Sequence, residues 1–208
     1  MIHITRNTTQ YLENETGELV FHVGKESSLV LFDTALEDGH LERSVAVFLE
    51  GEGARVELYG IFFGYGKQSF TLSHTVLHLA SHTSSKLVTR GTLSDEAKTD
   101  YRALIDIPKG SVACSGEQSE HTLLLSEKAL ITALPALKIA NNDVKASHSV
   151  ATTYIDVIKK FYLESRGLSE VETIKAMVAG HFSAVLDRMQ NEEFRMQIEK
   201  TIEQRING

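Results

Sequence analysis

The stretch Ser69-Phe-Thr-Leu-Ser-His-Thr-Val-Leu-His78 decides the reading of the chain. It places Phe70, Leu72 and Val76 on one side and Thr71, Ser73 and Thr75 on the other. That period of two marks a half-buried strand. Working outward, Tyr101–Ile107 alternates Tyr101, Ala103, Ile105 and Ile107 against Arg102, Leu104 and Asp106. Ser44–Glu50 and Arg55–Gly60 repeat the pattern through Val45, Val47 and Leu49, then Val56 and Leu58. The segments are short and broken by Gly, Ser, Asn or Asp, as strands are. Asp38-Gly39 and Pro108-Lys109-Gly110 are the best turns. No amphipathic helix interrupts Leu19 to Val144, so this part is all-β.

Some segments, such as His121–Ala140, carry apolar residues on both faces, which suits strands covered on both sides. Periodicity leaves sandwich, barrel and wound parallel solenoid level, and no repeat of the ~20–25 residues of a small solenoid coil stands out. After Thr152 the period becomes helical. Ile155, Ile158 and Tyr162 fall at i, i+3, i+7. Arg166 and Gly167 form a helix stop. Ser169 and Glu172 form a capping box for a second helix bearing Ile174, Val178, Phe182, Val185 and Met189. Asn191 caps a third, with Phe194, Ile198 and Ile202. About 50 helical residues cannot build a robust core alone; they are expected to pack on the β region or on another protein. The division read from the chain is a short N-terminal segment 1–18, a β core 19–150 and a helical domain 151–208.

Composition narrows the function classes. The 208 residues carry 28 acidic and 21 basic side chains, a net charge of −7, which argues against a nucleic-acid partner. No apolar run approaches the ~18–20 residues of a membrane helix, and the first 18 residues lack the apolar stretch of a signal peptide. The single cysteine, Cys114, forms no intrachain disulfide and fits a reducing cytoplasm. One thiolate cannot hold a stable iron–sulfur cluster alone. His74, His78 and His82 share strand parity, but four residues along a strand span ~13 Å, too far for one zinc. They read as structural. Metalloprotease, P-loop and nucleophile-elbow motifs are absent. Gly60 and Gly64-Tyr65-Gly66 read as turn glycines, Cys114 as an inert buried thiol, and Ser84 as part of a strand-end turn.

A longer series carries more. His78-Leu-Ala-Ser-His-Thr83, Arg90-Gly-Thr-Leu93 and Tyr101–Ile107 lead to Glu117-Gln118 and Leu123-Leu-Leu-Ser126. Pro135–Ile139, Asp143-Val-Lys-Ala-Ser-His148 and Phe161-Tyr-Leu-Glu-Ser-Arg-Gly-Leu168 follow. Over about residues 70–190 this order resembles the core domain of the SufB/SufD family of iron–sulfur cluster assembly proteins. The resemblance implies a right-handed parallel β-helix followed by a small helical domain. It implies a cytoplasmic, non-enzymatic scaffold that docks a SufC-type ABC ATPase on its C-terminal helices and pairs with a SufB-like sister chain or with itself. It implies no tightly bound cofactor, only a transient iron–sulfur cluster.

Carried over by residue, His148 matches the histidine of the family's Ser-His-Gly-Ala-Thr block, a candidate metal ligand for a nascent cluster. Here Ser149 replaces both that glycine and the glutamate that follows the histidine in SufB-type members. Where SufB-type members place an acceptor cysteine after the glutamine matching Gln118, this chain has Ser119, a poor soft-metal ligand, so it looks SufD-like or divergent. Phe161, Tyr162, Arg166 and Gly167 are the partner-binding candidates, since aromatics and Arg dominate interface energetics. The competing readings are a cupin-like metal-binding β-barrel using the histidines, although the required H-x-H pair is absent, and a purely architectural dimer.

Overall fold

A computed structural model describes residues 1–207. Twelve strands are followed by three helices. The strands are β1 (Ile2–Ile4), β2 (Thr8–Glu13), β3 (Gly17–Val23), β4 (Ser28–Ala35), β5 (His40–Leu49) and β6 (Arg55–Gly64). They continue as β7 (Ser69–His78), β8 (Ser84–Leu93), β9 (Lys98–Ile107), β10 (Cys114–Leu124), β11 (Leu130–Ile139) and β12 (Val144–Tyr154). Odd-numbered strands stack into one six-stranded sheet and even-numbered strands into the other. Every pairing is parallel, so the chain winds as a β-solenoid in which each turn gives one strand to each sheet.

Stacked partners show why a 20–25-residue repeat is not found. Val47 lies over Val76 and Val76 over Ile105, each step advancing 29 residues. A turn here holds two strands of about ten residues plus two short bends, longer than the expected coil. Within the first 18 residues, β1 and β2 pair with β3 and β4 and so belong to the stack. Alternate residues face a dry interior of Phe21, Leu31, Val47, Leu58, Phe62, Phe70, Val76 and Ile105.

Helices α1 (Val157–Ser165), α2 (Glu170–Leu186) and α3 (Glu192–Asn207) complete the chain. The capping box at Ser169–Glu172 forms as expected, and Asn191 accepts from the Phe194 N–H at 3.1 Å. Helices α2 and α3 cover the outer face of the even-strand sheet. There Val178, Phe182, Val185, Met189, Ile198 and Ile202 pack on Phe32, Tyr59, Phe63 and Val88. A file of aromatics, Tyr11, Phe32 and Tyr59, stacks at 5.2 and 5.3 Å beneath them, with Phe194 against Tyr11. Arg205 of α3 ties the layer down by donating to the Leu36 and Phe63 carbonyls, with its guanidinium 4.9 Å over the Tyr65 ring.

The first helix departs from the pattern. Residues 152–154 belong to β12, and α1 begins only after Asp156, whose carboxylate accepts from the Ile158 and Lys159 N–H groups. The stripe of Ile158 and Tyr162, whose spacing reads as a packing face, lies open to solvent, and α1 buries none of its residues.

Candidate functional site

The solenoid interior carries a polar file among its apolar columns. Asp33, Arg43, His74 and Tyr101 all lie on inward positions and are buried. Asp33 accepts from the Arg43 Nη1 and, at 2.7 Å, from His74 Nε2. His74 Nδ1 lies 3.1 Å from the Tyr101 hydroxyl, which in turn lies 2.9 Å from Thr89 Oγ1. Arg43 donates further to the Glu15 and Thr34 carbonyls. Burial, helped by the Arg43 charge, holds the His74 imidazole down to about 3, so it is neutral and its Nε2–H points at Asp33. Burial also pulls the Arg43 guanidinium to about 10, still charged at neutral pH. Gly60 stands beside this file because a Cβ there would lie 2.8 Å from Thr89 Oγ1.

The three histidines grouped by spacing therefore do different things. His78 bonds Thr83 and Ser85, both at 2.8 Å, and burial lowers it to about 4. His82 is not on the strand at all: β7 ends at His78, and His82 occupies a turn with φ of 58°. They form no ladder and no metal set, and among the described residues no group of three His, Cys, Asp or Glu is placed to hold a metal.

The other end of the interior is open. β11 and β12 are edge strands, and the inward positions of β12 at His148, Val150, Thr152 and Tyr154 are exposed. His148 lies beside Gln118 of β10, and Val150 beside Glu120. Gln118 and Glu120 are each only 3% exposed. Glu120 takes one hydrogen bond from the Thr122 hydroxyl; burial pushes its carboxyl up to about 7, opposed by that bond and by Arg90. Ser119 points the opposite way, to the outer face, where Arg90 Nη1 donates to its hydroxyl at 3.2 Å. Cys114 is buried and inward-facing at the start of β10, with its thiol 3.2 Å from Thr83 Oγ1. Five residues separate it from Ser119, about 16 Å of strand, so it does not replace a cysteine at 119.

Phe161, Tyr162 and Arg166 come together on one short helix. Phe161 is 72% and Tyr162 55% exposed, and the Arg166 guanidinium sits 5.1 Å from the Tyr162 ring centre. They do not pin the helix to the solenoid. Gly167, with φ of +100°, follows the C-cap Arg166 and ends α1 in a conformation that favours glycine. Val157 and Ile158 of α1 are exposed as well, and so, on the inward side of β12, are Val150 and Tyr154.

Sequence reading missed the Asp33–Arg43–His74–Tyr101 file and the Gln118–Glu120 pair. The signal was present: Arg43 occupies an apolar-parity position between Leu41 and Val45, and Glu120 sits at an inward position between Gln118 and Thr122.

Comparison with known proteins now bears on this geometry. The family model described as SUF system FeS cluster assembly, SufBD core domain, matches residues 5–181. The chain belongs to the SufBD family. It is 25% identical to the iron–sulfur cluster assembly protein SufD of Bacillus subtilis over 183 residues, covering 88% of this chain and 42% of that one. It is 28% identical to a SufBD family protein of Mycobacterium leprae over 163 residues, 78% of this chain and 19% of the relative. A Synechocystis SufBD family protein is 26% identical over 161 residues, 77% and 33% of the two chains. The chain thus spans less than half the length of these relatives. Among the described residues no helix is long and apolar enough to cross a membrane.

Proposed function

We propose that this SufBD protein is a non-enzymatic scaffold subunit of an iron–sulfur cluster assembly system. It docks a SufC-type ATPase through α1 and pairs through the open end of its solenoid with a SufB-like chain or a second copy. The observation that carries the reading is the helix α1. Its Val157, Ile158, Phe161 and Tyr162 are 55–76% exposed, and no residue of the helix is fully buried in its own chain. α2 and α3 spend their apolar faces on the solenoid, and α1 does not. An aromatic pair beside an arginine is the composition of a binding hot spot.

The edge strands β11 and β12 support the pairing. An unpaired parallel edge offers a row of free N–H and C=O groups that another chain's edge satisfies. His148, on the inward side of that edge, is the residue through which this chain contributes to a nascent, transiently held cluster; Ser119, facing outward, does not serve as its sulfur acceptor. Co-expression with a SufC-type ATPase tests the reading. The wild-type chain is expected to co-purify with the ATPase, and a Phe161→Asp, Tyr162→Asp variant is not. Retention of the ATPase by that variant, with its fold intact by circular dichroism, refutes docking through α1.

A further inference from the structure

We propose that the bare half of the even-strand sheet's outer face is a docking trough for an extended, acidic peptide segment of another protein. Helices α2 and α3 cover that face only around Tyr59, Ile61, Phe63, Val88 and Leu123. The first outward positions of β6, β8, β10 and β12 stay open. In register they form one row of Arg55, Ser84, Ser115 and Lys145, and a second of Glu57, Lys86, Glu117 and Ser147. The two rows line a hollow of about 630 Å³. A neighbouring hollow of about 430 Å³ shares Lys86 and Glu117 with it and runs past Tyr59, Val88 and Arg90 to Arg188, just beyond the end of α2.

The decisive observation is the sign of this trough in a chain whose net charge is −7. Arg55, Lys86, Arg90, Lys145 and Arg188 line the two hollows. Among the described residues none of these five cations makes an ion pair. Arg90 shows this most clearly: half-buried, it donates to the Thr89 carbonyl and the Ser119 hydroxyl, both neutral. The carboxylates of Glu57, Glu117 and Asp187 also line the trough, but five positive charges against three negative leave an excess of two. Glu57 is further engaged by the Tyr59 hydroxyl. A surface of opposite sign to the rest of the chain steers and orients an anionic partner.

Spacing selects the partner. Arg55, Lys86 and Lys145 gather at one pole, Arg90 and Arg188 at the other. Lys86 and Arg90 stand four residues apart on β8, about 13 Å. Side chains four residues apart in an extended peptide have the same separation and point to the same face. Two acidic side chains at that spacing therefore meet both poles at once. Nucleic acid fits poorly, because it carries a charge at every step and runs over the three interleaved carboxylates. A peptide places charge only at the poles, and its backbone finds hydrogen-bond partners in the Ser84 and Ser115 hydroxyls between them. The inference goes beyond the scaffold reading and uses no residue of α1.

The test uses the full chain and a rhodamine-labelled peptide of about a dozen residues, read by fluorescence anisotropy at about 0.15 M salt. The peptide carries two glutamates four residues apart among serines and threonines. The expected result is saturable binding, at least about tenfold (~1.4 kcal/mol) tighter than that of the same peptide with glutamines. Charge reversal by Arg55→Glu with Lys86→Glu lowers the affinity at least about tenfold, with the fold checked by circular dichroism. Lys67→Glu with Lys98→Glu changes the net charge equally, in the bends that follow β6 and β8, and leaves binding unchanged. Absence of binding to the wild-type chain overturns the proposal, and so do equal losses in the two double variants. Tighter binding of a labelled DNA duplex, lost in the Arg55 and Lys86 variant, overturns the choice of partner. None of these results touches ATPase docking, which is read on α1.

Discussion

Replacing Asp33 by asparagine removes one charge from the solenoid interior and almost no volume. In the wild-type chain Asp33 (3% exposed) faces both Arg43 (2%) and His74 (1%). Arg43 stays protonated at neutral pH even though burial pulls it to about 10, so the variant strands a full positive charge in a dry interior. Breaking a buried pair from one side costs about 3–5 kcal/mol. For a domain near 200 residues each kcal/mol moves Tm by about 2–4 °C, so a fall of roughly 6–20 °C is expected. The Glu15 and Thr34 carbonyls still accept from Arg43, which argues for the lower half of the range. Urea unfolding measures the loss, and a double variant, Asp33→Leu with Arg43→Met, separates its causes. If the stranded charge is the cause, the double variant is more stable than Asp33→Asn, because no ion remains buried. It stays below wild type, because two carbonyls lose their donor. A loss under about 1 kcal/mol in Asp33→Asn, or a double variant no better than the single, refutes the reasoning.

Further outcomes follow from the same contacts. Stability should fall as pH drops from about 6.5 to 4, because the unfolded chain takes up protons that His74 (about 3) and His78 (about 4) refuse in the fold. Each contributes a slope of about 1.4 kcal/mol per pH unit, read from urea midpoints across that window. Glu120 works in the opposite sense: its raised carboxyl holds a proton in the fold between 4.5 and about 7, so its contribution is present at low pH and lost as pH rises through that window. Glu120→Gln in chelator should therefore gain stability relative to wild type as pH climbs from 4.5 to 7; a constant difference contradicts this. Arg205→Ala should raise amide exchange across α3 while leaving β5 to β9 protected, because it removes the ties to Leu36, Phe63 and Tyr65.

The legibility of this fold follows its alternation. Strands such as β7 and β9 show clean period two because only one face of each enters the core; the other faces solvent. The second half of β6 hides that signal, although Arg55–Leu58 still alternates. Its Tyr59, Ile61 and Phe63 face α2 and α3 while Leu58 and Phe62 face the interior, so it reads as a continuous apolar run. Parallel pairing could not be read from periodicity, since the pairs that define it lie 19–32 residues apart and differ chemically, as Asp33, Gly60, Thr89 and Glu120 do in one column. The family resemblance supplied what the period left open. Its motifs drew attention to His148 and to the Phe161–Arg166 helix as places in the chain. They could not indicate that Ser119 and His148 face opposite sides, or that two oxygens beneath His148 lack partners.

Calorimetric titration of the intact chain with a SufC-type ATPase tests the central claim most directly. The account predicts 1:1 binding that a Phe161→Asp, Tyr162→Asp variant abolishes, while charge substitution of exposed Met196 on α3 leaves it unchanged. Equal binding by the α1 variant and wild type, or loss only in the α3 variant, contradicts it.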